Sequence, residues 1–237
     1  MIKVKSSQGF IDIYYKRLPR NFYTRKTLDL AQELLGKFFV RRLENKILVG
    51  KIVETEAYVG HFDKASHAYA RKEQKLKEKI KIISKTWPRI KEHIDNPALF
   101  CKRILEGRGK LTERNIVEYL RGGHIYIYLV YGNYYQCNIT TYKEGFPECV
   151  LIRAVEPIIP KNLKTNGPGL FCEAFRLDKT FSAEDLCKSD RVWISFNKKI
   201  PKNEIIVRPR IGIDYAEEHK HLLWRFYIKD NPWVSKK

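Results

Sequence analysis

From residue 51 to 59 the chain alternates in twos. Ile52, Glu54, Glu56 and Tyr58 fall on one parity, and Val53, Thr55, Ala57 and Val59 on the other. Side chains of a strand point to opposite faces in turn, so the pattern predicts a strand whose Val53, Ala57 and Val59 face a core. The other face then carries two carboxylates and a phenol, with Cα atoms of i and i+2 about 6.5–7 Å apart. Like charges that close, when partly desolvated, push at least one carboxyl pKa upward, which is how a general base is tuned. The competing reading is an edge strand with both carboxylates solvated or paired with lysine. Residues 38–42 have strand patterning too, and a turn at Glu44-Asn45-Lys46 joins them to 47–58 as a hairpin.

Elsewhere the period changes. Residues 1–20 read as an irregular basic lead-in. Thr24 or Thr27 is placed to cap a helix over 28–35, with Leu28, Ala31 and Leu35 on one stripe and Gly36 as the stop. Leu76, Ile80, Ile83, Trp87, Ile90 and Ile94 recur at helical spacing, a stripe that Pro88 is expected to break in two. Asn96-Pro97 suits the cap and first position of a further helix ended by Gly107. Residues 125–130 return to alternation, Ile125, Ile127 and Leu129 against Tyr126, Tyr128 and Val130, followed by a Gly132-Asn133 hairpin turn. The aromatic tip of that hairpin either wedges into a base step or covers a loop against the core.

Residues 149–154 are almost wholly apolar and predict a central strand, in which Arg153 stands out. A cation in such a run needs a carboxylate partner or an anionic ligand. Asn166-Gly167-Pro168-Gly169 forms a tight loop before an apolar helix over 170–177, and 208–212 and 222–228 read as strands. The mixture predicts one α+β domain over residues 1–237, with a helical insertion at about 71–110.

Charge narrows the partners. The 237 residues hold 46 Lys plus Arg against 27 Asp plus Glu, a net +19. Such a balance points to nucleic acid or an anionic membrane surface, unless it reflects a general lysine bias along the chain. Fourteen tyrosines supply stacking platforms for bases. Residues 71–110 alone carry 13 basic and 5 acidic side chains. This segment either grips phosphates or packs one face and solvates the other. The five cysteines are scattered without a C-x-x-C pair, which suits reduced thiols rather than disulfides or zinc. His219 and His221 read as a solvated pair rather than metal ligands. No apolar run suits a signal peptide or a membrane span, so a cytoplasmic protein without metal or cofactor is expected.

Six blocks in order, VETEAYVGHFDKASHAY, YIYLVYGNYYQCN, ECVLIRAVEP, TNGPGLFCEAF, RPRIGID and WRFYIKDNPWVS, resemble the alkyladenine (3-methyladenine) DNA glycosylases. The resemblance runs from about residue 22 to 235, pausing at the helical segment and resuming at Thr112-Glu113-Arg114-Asn115. It implies a curved, mostly antiparallel sheet with helices around it. It also implies a monofunctional base-excision enzyme that flips a damaged purine out of duplex DNA and hydrolyses its N-glycosidic bond. The purines implied are of the 3-methyladenine, 7-methylguanine and hypoxanthine type. On this resemblance Glu56 is the general base and Arg153 helps position the water. Tyr58, His67 and Tyr128 surround the flipped base, Asn138 crowds the exocyclic amine of guanine, and Tyr131 fills the gap left in the duplex. A monomer at the nucleoid, bound to double-stranded DNA and not to membrane, follows from the same resemblance. Two other readings remain: a binding module that kept the fold and lost the chemistry, and a bifunctional enzyme with a lysine nucleophile.

Overall fold

The computed structural model describes residues 2–6, 9–13, 16–130 and 132–237, the first two stretches as backbone alone. Those two stretches are strands, β1 (Ile2–Ser6) and β2 (Gly9–Ile13), paired antiparallel where the sequence predicts an irregular lead-in. A single turn of helix, α1 (Arg20–Tyr23), precedes α2 (Thr27–Glu33). Neither threonine caps α2. Lys26 holds that position, and the Thr27 hydroxyl instead contacts Thr141 and Glu148. Gly36 follows at φ +82°, a left-handed conformation that suits glycine, and a Cβ there would meet Ile200.

The main sheet has eight strands. Its backbone is β3 (Phe38–Arg42), β4 (Ile47–Val59), β5 (Ile125–Val130), β6 (Tyr134–Thr140), β7 (Glu148–Ile159), β8 (Val192–Ser195), β9 (Ile205–Arg208) and β10 (Arg225–Ile228). The path runs β5-β6-β7-β4-β10-β9, all antiparallel, with β3 against the first half of β4 and β8 against β3. β4 is therefore central, with β7 on one side and β3 and then β10 on the other, which excludes the edge-strand reading. The final strands lie at 205–208 and 225–228, since 209–212 leaves the sheet. β8 escaped prediction because four residues give too short a period to read.

The parity of β4 does not run straight through. Ile52 pairs with Val155 and Glu54 with Ala154, so Val53 is an extra residue; Thr55 then pairs with Ile152, leaving Arg153 extra on β7. These two offsetting bulges put Ile52 and Val53 together in the main core, so Ile52 leaves the acidic face to which strict alternation assigns it. Past the bulge the alternation is as predicted: Val53 and Ala57 enter the core, while Val59 at the strand end is only half-buried. α2 and α5 (Pro168–Ala174) cover this core face, with Leu30, Ala31, Phe171 and Phe175 against Val53, Ala57 and Ile152.

The 71–110 segment holds α3 (Leu76–Ile90) and α4 (Pro97–Glu106). α3 continues through Pro88 and stops two residues later, so the proline sits in its last turn rather than dividing it. The buried stripe of α3 is Lys79, Ile83, Thr86 and Ile90, while Leu76 and Ile80 of the predicted stripe are exposed. Lys79 enters that stripe because its Nζ donates to the carbonyls of Ile104 and Gly107, which α4 leaves open at its C-terminal end. Asn96 caps α4 as predicted, accepting from the Leu99 N–H at 3.0 Å. Ile83, Ile90, Phe100 and Ile104 form a second core with Tyr126 and Cys149 on the sheet face opposite α2 and α5. Among the described residues no helix is long and apolar enough to cross a membrane.

Candidate active site

One line of paired residues crosses the second face of the sheet: Arg208, Arg225, Glu56, Leu151, Asn138 and Tyr126, contributed in turn by β9, β10, β4, β7, β6 and β5. Alternation places Glu54 and Tyr58 beside Glu56, and the β7 bulge turns Arg153 toward both acids. The Arg153 guanidinium lies 3.3 Å from Glu54 Oε1 through Nε and 3.3 Å from Glu56 Oε1 through Nη1. Arg225 Nη1 donates to Glu54 Oε1 at 2.9 Å. All four charged side chains are buried.

Two carboxylates and two guanidinium groups taken out of water cost desolvation energy, which close pairing and further hydrogen bonds must offset. The chain supplies those bonds from its end. The Ser235 N–H donates to Glu54 Oε2 at 2.7 Å, the Ile211 N–H to Glu56 Oε1 at 2.8 Å, and Arg225 donates to the carbonyls of Pro209 and Lys236. Glu56 Oε2 accepts from the Tyr58 hydroxyl at 2.9 Å. Burial, with Glu56 next in effect, holds the Tyr58 phenol well above its ordinary pKa, so it stays a donor. The apolar run around Arg153 signalled a carboxylate partner; nothing in the sequence singled out Arg225, Ile211 or Ser235.

Above this layer is a cavity of about 560 Å³, within the usual range for small-molecule sites. Tyr58, His67, Tyr128, Asn138 and Arg153, all singled out from the sequence, line it together. Glu56 does not: it lies one layer down, beneath Tyr58, Arg153 and Ile211. His67 and Tyr128 meet edge to face, ring centres 4.5 Å apart, and Tyr126 lies 5.2 Å from Tyr128. His67 Nδ1 hydrogen-bonds the Tyr126 hydroxyl at 2.8 Å, and burial lowers the imidazole to about pKa 4, so the ring is neutral near pH 7. Tyr128 donates to Gln136 Oε1 at 2.9 Å. The Asn138 amide donates to the carbonyls of Tyr126 and Gln136 at 3.1 and 3.3 Å, which locks its orientation. Tyr131, expected to enter the duplex, lies outside the described residues.

Two features of the site were missed. Asp63 and Arg210 form a fully buried two-pronged pair, at 2.5 and 2.7 Å, with the guanidinium 4.8 Å from the Tyr58 ring. Asp63 also accepts from the N–H groups of Val59 and Ala65, fixing the turn that leads from Tyr58 to His67. The other is Glu118, buried in the turn Asn115–Tyr119 and lining the cavity. The signal that marks Arg153, a charge inside an apolar run, also marks Glu118 within Ile116-Val117-Glu118-Tyr119-Leu120.

Comparison with known proteins places the chain among relatives over most of its length. The family model described as methylpurine-DNA glycosylase matches residues 21–80 and 105–232, so its gap falls on most of α3 and α4. A protein of Clostridium novyi named "Putative 3-methyladenine DNA glycosylase" is 41% identical, covering 94% of this chain and all of its own length. Proteins of the same name from Clostridium tetani and Legionella pneumophila are each 39% identical, covering 93% of the chain and 100% and 99% of their own lengths.

Proposed function

Since the chain belongs to the methylpurine-DNA glycosylase family, we propose that it removes alkylated and deaminated purines from duplex DNA by hydrolysis of the N-glycosidic bond. The observation that carries this reading is the junction of Glu56 with Arg153, 3.3 Å apart, directly beneath an aromatic cavity large enough for a purine.

A base inside the stack is out of reach of any side chain, so the nucleotide must swing out, at a cost that is least for damaged or mispaired bases. The net charge of +19 favours the bent duplex that admits it. Tyr131, which follows β5 in the sequence, fills the space it leaves. Tyr58, His67 and Tyr128 enclose the base, and a cationic alkylated ring gains about 1–2 kcal/mol from their faces. Asn138, its amide held by two carbonyls, crowds the exocyclic amine of normal guanine.

A water held beside the Arg153 guanidinium attacks the sugar carbon. Glu56 takes its proton, the bond to the base nitrogen breaks, and the base leaves with the electron pair. The Ile211 N–H and the Tyr58 hydroxyl hold the Glu56 carboxylate beside Arg153. No lysine lines the cavity among the described residues, which favours water over a covalent amine adduct. The enzyme works as a monomeric single domain at the nucleoid. The basic segment 71–110 extends the phosphate-facing side, its apolar stripe being used in the second core.

The test is incubation with duplexes carrying one hypoxanthine or 3-methyladenine. Free base and an unbroken strand with an abasic site are expected, with no protein–DNA adduct trapped by borohydride. A trapped adduct would transfer the chemistry to an amine. Binding without base release would reduce the molecule to a binding module.

A further inference from the structure

Glu118 is a carboxyl group that the hydrolytic scheme does not use. It is 2% exposed and lines the cavity together with Asn138 and Cys149. Its Oε1 lies 3.5 Å from the Cys149 thiol, which in turn lies 3.9 Å from Asn138 Oδ1. Its Oε2 has no hydrogen-bond partner among the described residues. A buried polar oxygen without a partner is uncommon, and this one belongs to a side chain on the cavity wall, where a base could supply the partner. Burial raises the acid to about pKa 8, against the smaller opposing pull of Cys149 and Asn115, so near pH 7 it carries a proton. In that form it presents an O–H donor beside a carbonyl acceptor. A purine edge such as that of hypoxanthine presents the complement, a ring N–H beside a carbonyl oxygen.

Resting on the glycosylase reading above, we propose that Glu118 is a specificity-determining residue that hydrogen-bonds the edge of the purine drawn into the cavity. Its O–H donates to the base's carbonyl or ring nitrogen, and its carbonyl accepts from the neighbouring N–H. Asn138 and Glu118 then act in opposite senses, one crowding the wrong base and the other pairing with the right one. A pocket with a group built for such a bond discriminates strongly against bases that cannot make it.

Ionisation removes the donor, so recognition of hypoxanthine weakens as pH rises through about 8. Of the groups around Glu118, burial pushes Tyr119, Tyr126, Tyr128 and Cys149 upward and His67 down to about 4, while Asp63 is paired with Arg210 and Arg114 shares the cavity wall. The test is single-turnover release of hypoxanthine between pH 6.5 and 9 by the full-length wild type, Glu118→Gln and Glu118→Met. Affinity for abasic duplex is followed in parallel as a check on folding. In the wild type the rate is expected to fall about tenfold from pH 7 to pH 9, as one proton is lost. Glu118→Gln, which keeps a donor beside an acceptor at every pH, loses that alkaline limb whatever its absolute rate. Glu118→Met lowers release more than tenfold at pH 7. An alkaline limb still centred near pH 8 in Glu118→Gln, or a Glu118→Met variant with the wild-type rate and profile, overturns the proposal and leaves the glycosylase reading intact. A wild type that releases no base at any pH overturns both.

Discussion

Glu56 on β4 and Glu118 in the turn Asn115–Tyr119 are buried within reach of the same cavity, yet their surroundings differ in kind. Glu56 accepts from a backbone N–H at 2.8 Å and a phenol at 2.9 Å, and has the Arg153 guanidinium at 3.3 Å. Glu118 has one thiol at 3.5 Å and an oxygen with no described partner. At Glu118 burial outweighs the smaller opposing pull of Cys149 and Asn115 and pushes the acid up to about 8. One cavity thus has a carboxyl group ringed by donors and a cation beneath its floor and a sparsely partnered one in its wall. The lesson matches a general pattern, in which two acids in one site are given different tasks by their environments.

The comparison breaks most visibly if the cation is removed. Arg153→Ala leaves Glu56 with hydrogen bonds but no counter-charge, and Glu54 with Arg225 alone. Loss of one member of a buried ion pair costs about 3–5 kcal/mol, which equilibrium urea unfolding near pH 7 would read. A loss under about 1 kcal/mol would mean that the layer is not held by charge pairing.

A pH-graded effect sharpens the other half. Glu118 is raised in the folded state to about pKa 8, above the ordinary glutamate value it regains on unfolding. Between those values the folded state binds more protons, so stability is greatest below pH 4 for this group and declines as pH rises toward 8. Glu118→Gln removes that dependence. The difference in unfolding free energy between variant and wild type should therefore grow in the variant's favour by roughly 1.4 kcal/mol per pH unit across this window. A difference that is flat with pH would place Glu118 in contact with water or a cation.

Much of this arrangement was legible in the residues. Alternation named Glu54, Glu56 and Tyr58 as one face, and the apolar run around Arg153 required an acidic partner. The two bulges were not legible, because Ile52-Val53 and Ala154-Val155 are apolar pairs that fit a strand of either parity. Only the pairing with β7 shows that Val53 and Arg153 are the extra residues. The burial of Lys79 was hidden for another reason: its partners are carbonyls at the end of a different helix, which no helical period reports. The supports of the acidic layer, Ile211 and Ser235, act through backbone N–H groups, so their side chains carry no signal. Glu118 was visible by the rule that marked Arg153.

Activation of the water by Glu56 is tested by Glu56→Gln with two lesions. Hypoxanthine is a poor leaving group and needs the base fully, whereas 3-methyladenine is cationic in the nucleotide and departs more readily. Single-turnover release of hypoxanthine is expected to fall by about 10²–10⁴-fold and release of 3-methyladenine distinctly less, with duplex affinity kept. Equal losses for the two lesions, or hypoxanthine release near the wild-type rate, would contradict activation by Glu56.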